Sequence, residues 1–459
     1  MSQDARKITS AAQARKLVEK RGLQHVKVAV TDMDGVLRGK YMSREKFFSA
    51  LDKGFGFCDV VLGWDSEDQL YENPGVQYTG WQTGYPDAPV RMLPDSCREL
   101  PEEDNMLFFL GEFAGDAEAV CPRACLRRVL QQAEHMGYRL KAAFEYEFFL
   151  FDESPDSVRE KGFQHLQPIT PGFFGYSVLR NSTHAELYHD LLDFCQQMDF
   201  PLEGLHTETG PGVWEAAINV DAALVAADKA NLFKTFVKVW AQRRDMMACF
   251  MAKWSNDYPG QSGHIHLSLL DDKGEPLFYD AQSEHNMSAL QRQFVAGQQR
   301  YMPELCAMYA QSVNAYTRLV PGFWAPTDAT WAVDNRTTAL RVITGGATSQ
   351  RVEVRVTAAD ANPYLALAAA VASGLRGIEE GLEPEPAVEG NAYAQSFPAQ
   401  LRLPQTLDQA AERLRHSAMA RSVFGDAFVE HYVVTREWES RQYRQHVSDW
   451  ELRRYFEII

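Results

Sequence analysis

The stretch FEYEFFLF (144–151) has the period of a strand. Side chains along a strand alternate faces, so residues i and i+2 share a face roughly 6.7 Å apart. Glu145 and Glu147 project from one face, and Phe144, Tyr146 and Phe148 from the other. A solvated surface strand alternates too, but its wet face usually mixes Thr, Lys and other polar residues. Two further stretches repeat the pattern. GHIHLSLL (263–270) groups His264, His266 and Ser268 opposite Ile265, Leu267 and Leu269. RVEVRV (351–356) groups Arg351, Glu353 and Arg355 opposite three valines. Glu, His and Arg are the side chains that hold metal ions and anions. Three such strands in one chain point to a site, whereas any one alone reads as a wet surface.

Working outward, HTETGPGVWEAAI (206–218) offers His206, Glu208 and Glu215, with a Gly-Pro-Gly turn between the glutamates that can fold them towards one point. Glu145, Glu147, Glu208, Glu215, Glu353 and His264 together suffice for two hard divalent cations. So oxygen-rich a set favours Mg²⁺ or Mn²⁺ over zinc. AYTRLVPGF (315–323) supplies Arg318, and DNRTTALRV (334–342) supplies Arg336 and Arg341. With Arg351 and Arg355, these make a setting for polyphosphate and carboxylate. The Gly-x-x-x-x-Gly-Lys-Ser/Thr phosphate loop does not occur.

The chain of 459 residues exceeds one ordinary core, and its 45% hydrophobic, 24% charged composition is that of a globular protein. Short strand-like segments occupy about 25–110, and longer strands alternate with helices beyond. We place a boundary at 115, giving segments 1–114 and 115–459 and an α+β class with antiparallel strands carrying function on one face. Helices are expected over 9–21, from Pro122, and over 183–198, 222–247, 363–379 and the tail from 448. A net charge of −16 opposes a nucleic-acid partner. The longest apolar run, YLALAAAVASGL (364–375), is too short to span a membrane. Seven scattered cysteines fit a reduced, cytoplasmic protein, with Cys121 and Cys125 on one helix face. VAVTDMDGVLRGK (28–40) has two readings at this point: a phosphatase loop with Asp32 as nucleophile, or a hairpin turn at Asp-Gly.

FEYEFFLFD, HTETGPGVWE, GQSGHIHLSL, RLVPGF, NRTTALRV and RVEVRVTAADANPYLALAA, in this order and spacing, resemble the glutamine synthetase superfamily over nearly the whole chain. The resemblance implies an N-terminal β-grasp domain and a larger catalytic domain with an antiparallel curved sheet flanked by helices. It implies a homo-oligomer, a double-ring dodecamer with the site between subunits, using ATP and two Mg²⁺ or Mn²⁺ ions. By the same resemblance, one metal falls to Glu147, Glu208 and Glu215, and the other to Glu145, His264 and Glu353. Arg318 and Arg355 match the arginines that hold glutamate, and Arg336 the one that steadies the transferring phosphoryl group. Arg341 and Arg351 match those on the nucleotide phosphates, and His266 and Ser268 the contacts to ATP. With its acids so committed, the chain is expected to use 28–40 as the β-grasp turn.

The sequence departs from the family where a glutamine synthetase binds ammonium. The flap reads RLVPGFWAPT, with Trp324 in place of an acid. The N-terminal loop reads FGFCDVVLGWD, with Cys58 or Asp59 near the second acid's place. Trp cannot act as a base, but it offers an apolar wall to a larger amine. Val60, Val61, Leu62 and Trp64 are expected to extend that wall. The pattern resembles the γ-glutamyl-amine ligases, with a monoamine favoured over a polyamine. The alternatives are a glutamine synthetase using ammonium and a non-catalytic, metabolite-sensing relative. Pro259-Gly260 stands where the family has an Asn-Gly touching glutamate, so Gly260 is the part of that contact retained.

Overall fold

His25–Thr31 (β1) and Leu37–Ser43 (β2) form an antiparallel hairpin around the Asp32–Val36 turn. Asp32 builds the turn: its Oδ1 accepts from the backbone N–H of Asp34 at 3.0 Å and Val36 at 2.9 Å, and its Oδ2 from Arg38 Nε at 2.8 Å. Both oxygens are engaged in the fold, so the nucleophile reading falls. Gly35 has φ 82°, a conformation that costs a residue with a Cβ. The tip is a docking point. Asn362 Nδ2 donates to the carbonyls of Asp32 and Met33, and Arg436 Nη2 lies 2.6 Å from Asp34 Oδ1.

The computed structural model describes residues 5–72, 78–104 and 106–459. Phe55–Cys58 (β3), Asp87–Met92 (β4), Arg98–Leu100 (β5) and Met106–Phe113 (β6) complete the first sheet, in the order β2-β1-β6-β4-β3 with β5 on β6. All its strands lie before residue 115. The second sheet comprises Arg139–Phe151 (β7), Leu202–Thr207 (β8), Val213–Ile218 (β9), Asp221–Ala222 (β10), Met247–Cys249 (β11), Gly263–Leu270 (β12), Trp331–Val333 (β13), Leu340–Ile343 (β14) and Arg351–Val354 (β15). Its order is β13-β14-β15-β12-β7-β9-β8, with β10 and β11 on β7. It is antiparallel, as expected, with the one parallel pair β13–β14 at its edge.

The helices follow the local signals. Pro363–Glu379 starts on Asn362, whose side chain accepts from Tyr364 N–H, with Pro at the first turn; its Ala-rich body is buried. Pro122–His135 begins at the expected proline, and Cys125 and the preceding Cys121 are both buried and unbridged. Ala11–Lys20, Ala185–Gln197 and Asp449–Tyr455 lie inside their expected ranges. Ala223–Gln242 ends five residues early, because Met247–Cys249 is taken as a strand against β7. Among the described residues no helix is long and apolar enough to cross a membrane.

Candidate active site

The strand registers assemble the site. Glu147 faces Glu215 across β7–β9, and His206 faces Glu215 across β8–β9. Glu145 faces His264 across β7–β12. His266 faces Glu353 across β12–β15, and Glu353 faces Arg341 across β15–β14. One polar band thus crosses the sheet, backed by Phe144, Tyr146 and Phe148, which are buried on the opposite face. Above it lies a cavity of about 610 Å³.

Two donor groups converge, each with its ligand atoms within 4.8 Å of one another: Glu145, His266 and Glu353, and His206, Glu208 and Glu215. His264 adjoins the first group, its Nδ1 3.6 Å from Glu145 Oε2 and 3.3 Å from Glu353 Oε1, and its Nε2 is buried without a partner. Glu147 lines the cavity beside the second group, with its Oε2 accepting from Ser262 N–H at 2.8 Å. The oxygen-dominated donors, the orphaned His264 nitrogen and the packed like charges fit divalent cations.

Electrostatics differ sharply between the groups. Burial opposes ionisation of Glu353, but Arg355 and both strand histidines hold its pKa down at about 2. Burial opposes ionisation of Glu145 too, and His266 and His264 hold it well below the usual carboxylate range. Glu215 goes the other way: burial, then Glu147, Glu145 and Glu208, push it well above that range.

Arginines line the cavity beside the carboxylates. Arg341 Nη1 donates to Glu353 Oε2 at 2.8 Å, and Arg355 pairs with Glu353 Oε1. Arg318 is buried and donates to the carbonyls of Val356 at 2.9 Å and Arg355 at 3.0 Å. Gly260 permits that placement, since a Cβ there would lie 2.6 Å from Arg318 Cγ. Arg336 and Trp324 also line the cavity.

Of the residues singled out in the sequence, His266, Arg351 and Ser268 lie off the cavity lining. Arg351 Nε contacts His266 Nδ1 at 3.2 Å, and His266 Nε2 is 3.1 Å from Glu145 Oε1. Ser268 follows on the same face of β12, opposite Lys141. The expected wall from the N-terminal loop is absent from this chain's own cavity. Val61 and Leu62 are buried in the core, Leu62 O accepts from His431, and Asp65 Oδ2 accepts from Trp438 Nε1. Asp59 is buried as well. Tyr176, stacked on His206 at 4.4 Å between ring centroids, and Phe323 line the cavity without a warning in sequence, as do Gln261 and Ser262.

Paired acids and histidines on one sheet, with arginines beside them, make a setting for divalent cations and for phosphate or carboxylate groups. Residues 119–455 match the family model for the glutamine synthetase catalytic domain. The chain is 44% identical over 440 residues to the type-1 glutamine synthetase 2 of Dictyostelium discoideum, covering 95% of this chain and 84% of that protein. It is 36% identical over 452 residues to the glutamate–isopropylamine ligase of a Pseudomonas species, covering 97% of each. The solved GmaS/ADP complex shares the fold at a TM-score of 0.84 and 24% identity, covering 97% of this chain and 99% of that one. The chain belongs to the glutamine synthetase family and is an ATP-dependent carbon–nitrogen ligase.

Proposed function

We propose that this ligase joins the γ-carboxylate of glutamate to a primary amine larger than ammonia, with a monoamine favoured. The carboxylate oxygen attacks the γ-phosphorus of ATP and ADP leaves. The amine then attacks the acyl carbon, phosphate departs, and the nitrogen loses a proton. Arg318 and Arg355 hold the acid, Arg336 steadies the phosphoryl group, and Arg341 and Arg351 serve the nucleotide, with His266 and Ser268 beside it. Glu147, Glu208 and Glu215, joined by His206, would hold one Mg²⁺ or Mn²⁺; Glu145, His264 and Glu353, joined by His266, the other. When bound, such ions neutralise the charge that develops on the phosphates.

The carrying observation is the cavity mouth. All five carboxylates of the lining sit on or beside the sheet, and the flap contributes Phe323 and the 56%-exposed Trp324 instead of an acid. The isopropylamine ligase among the relatives supports this reading. The Dictyostelium relative's name supports the alternative, ammonium as acceptor. We further place the enzyme in the cytoplasm, on its seven unbridged cysteines, as a homo-oligomer and by family resemblance a dodecamer. Exposed Phe173, Phe174, Val178 and Leu179 beside the site support a subunit contact there. Phosphate release with ATP and glutamate, compared between ammonium and a panel of primary amines, tests the proposal. Equal rates with ammonium and every amine would overturn it.

A further inference from the structure

Arg336 stands apart from the other arginines of the cavity lining. Arg341 and Arg355 pair with Glu353, and Arg318 donates to two backbone carbonyls. The Arg336 side chain is exposed and, among the described residues, makes no hydrogen bond or ion pair. No protein group holds its guanidinium, so the place of that charge in the cavity depends on the backbone that carries it.

That backbone is anchored on both sides of Arg336. Asn335 Oδ1 accepts from Thr337 N–H at 2.9 Å and from Thr337 Oγ1 at 2.7 Å, which closes a tight turn over Arg336. Buried Thr338 closes it again, its Oγ1 donating to Asn335 O at 2.9 Å. The turn is then tied to a distant segment: Asn335 Nδ2 donates to Gly390 O at 2.7 Å, and Ala392 N–H donates to Thr337 Oγ1 at 3.0 Å. Residues 385–395 are themselves fastened to β13. Trp331 Nε1 donates to Glu385 O at 2.6 Å, and Val388 N–H donates to Trp331 O at 2.9 Å. Gln395 Nε2 donates to Glu389 O at 2.7 Å and closes the far end of this strap. The strap, Asn335 and Thr337 all lie off the cavity lining, and Arg336 lies on it. These bonds therefore reach the chemistry through Arg336. An arginine that steadies a transferring phosphoryl group must hold its charge where charge develops, and a misplacement of about 1 Å costs as much as a hundredfold in rate. A side chain with no partner of its own gains that precision from a fixed backbone.

Resting on the assignment of Arg336 to the phosphoryl group, we infer that Asn335 and Thr337 are positioning residues for Arg336, held in place by the 385–395 strap. The test uses the full chain with ATP, Mg²⁺, glutamate and hydroxylamine, and follows phosphate release. Thr337→Val keeps the shape of the side chain and removes the oxygen shared by Asn335 and Ala392. Asn335→Ala removes the bond to Gly390 O and the acceptor of the turn. Each is expected to lower kcat roughly ten- to hundredfold while KM for ATP and for glutamate changes less than about threefold, since Arg336 acts on the transition state. Thr337→Ser returns the oxygen and is expected to bring kcat back to within about threefold of wild type. In an Arg336→Ala background, Thr337→Val should cost less than about twofold further, because the group it positions is gone. Asn335→Ala in the same background carries the test if Thr337→Val fails to fold. A near-normal kcat, a loss carried by KM, no rescue by Thr337→Ser, or a loss that multiplies with that of Arg336→Ala overturns the inference and leaves the ligase reading intact. An Arg336→Ala enzyme with undiminished kcat overturns the Arg336 assignment and this inference with it. A wild type that releases no phosphate with glutamate and any acceptor overturns the ligase reading as well.

Discussion

Glu147 and Glu215 face each other directly across β7 and β9, two carboxylates at paired positions in one cavity. Like charges opposite each other on a sheet are destabilising, and burial adds to the cost. Burial first, and then Glu147 as the largest charged contributor, push Glu215 well above its ordinary range. Divalent cations would relieve the repulsion. Mg²⁺ or Mn²⁺ is therefore expected to raise the melting temperature of the wild type, by linkage to the folded state alone. Glu215→Gln should be about 1 kcal/mol more stable than wild type in a chelator, and should gain less from added metal. Thermal melts with and without metal decide this. A variant less stable than wild type in chelator, or one with an undiminished metal response, removes the electrostatic account.

Glu353 sits between Arg341 and Arg355 and within 3.3 Å of His264 Nδ1. Removing its carboxylate by Glu353→Ala strands two arginines and dismantles one donor group. Glu353→Ala and His264→Ala are each expected to cut ATP turnover by roughly a hundredfold or more, since a bound ion contributes several kcal/mol to a phosphoryl transition state. Metal affinity, followed by calorimetry, should fall with the rate. Near-normal turnover in both variants would remove the site from the sheet.

His431 gives a pH signature remote from the site. It is buried, its Nε2 lies 2.8 Å from Leu62 O, and burial pushes its pKa down to about 4. The unfolded chain holds the same histidine near 6.5, so between pH 6.5 and 4 the unfolded state takes up a proton that the folded state refuses. Stability from this residue is full above pH 6.5 and falls as pH drops, by roughly 3 kcal/mol at pH 4. His431→Gln should flatten that part of the stability curve. Denaturant melts at pH 7 and pH 4.5 check it, and parallel curves for wild type and variant would contradict it.

The strand period alone brought Glu145, Glu147, His264 and Glu353 to one face, because each strand's opposite face is continuous Phe, Tyr, Ile, Leu or Val. Periodicity says nothing of register, and register is what puts His266 opposite Glu353 and lets it join Glu145 and Glu353 alongside His264. The His206 contribution is of the same kind: the residue stood in plain view, but its pairing with Glu215 is a cross-strand fact. Tyr176 carries no local signal, since its place follows from a loop with positive φ stacked on His206. The apolar run Val60–Leu62 does not line this chain's own cavity. Apolar residues wall a ligand site or fill a core with equal sequence signature, and Val61 and Leu62 fill a core.

The flap is where the proposed preference for a larger amine can be tested. Trp324 lies at the cavity mouth with φ 60° and more than half its surface exposed. Phe323 beside it is also partly exposed, under Lys253 Nζ at 4.6 Å from its ring centroid. Ammonium is small and charged, and an enzyme built for it needs a carboxylate at the acyl phosphate to capture and deprotonate it. An indole has no base, but it can be covered by an alkyl or aryl group, at about 25 cal/mol per Å² of apolar surface removed from water. Covering about 100 Å² contributes roughly 2.5 kcal/mol, near seventyfold in affinity, which ammonia cannot gain. Phosphate release with glutamate and ATP is therefore expected to be slow with ammonium and much faster with at least one larger primary amine. Trp324→Ala should reduce that preference roughly tenfold or more by removing the apolar wall. Trp324→Glu should shift it further, towards ammonium or towards amines of higher charge, because it returns a carboxylate to the flap. Steady-state kcat/KM values for ammonium and each amine, in wild type and both variants, decide the matter. If wild type used ammonium as well as any amine, or if neither substitution moved the ratio, Trp324 would not be the acceptor wall, and the enzyme would be a glutamine synthetase with an unusual flap.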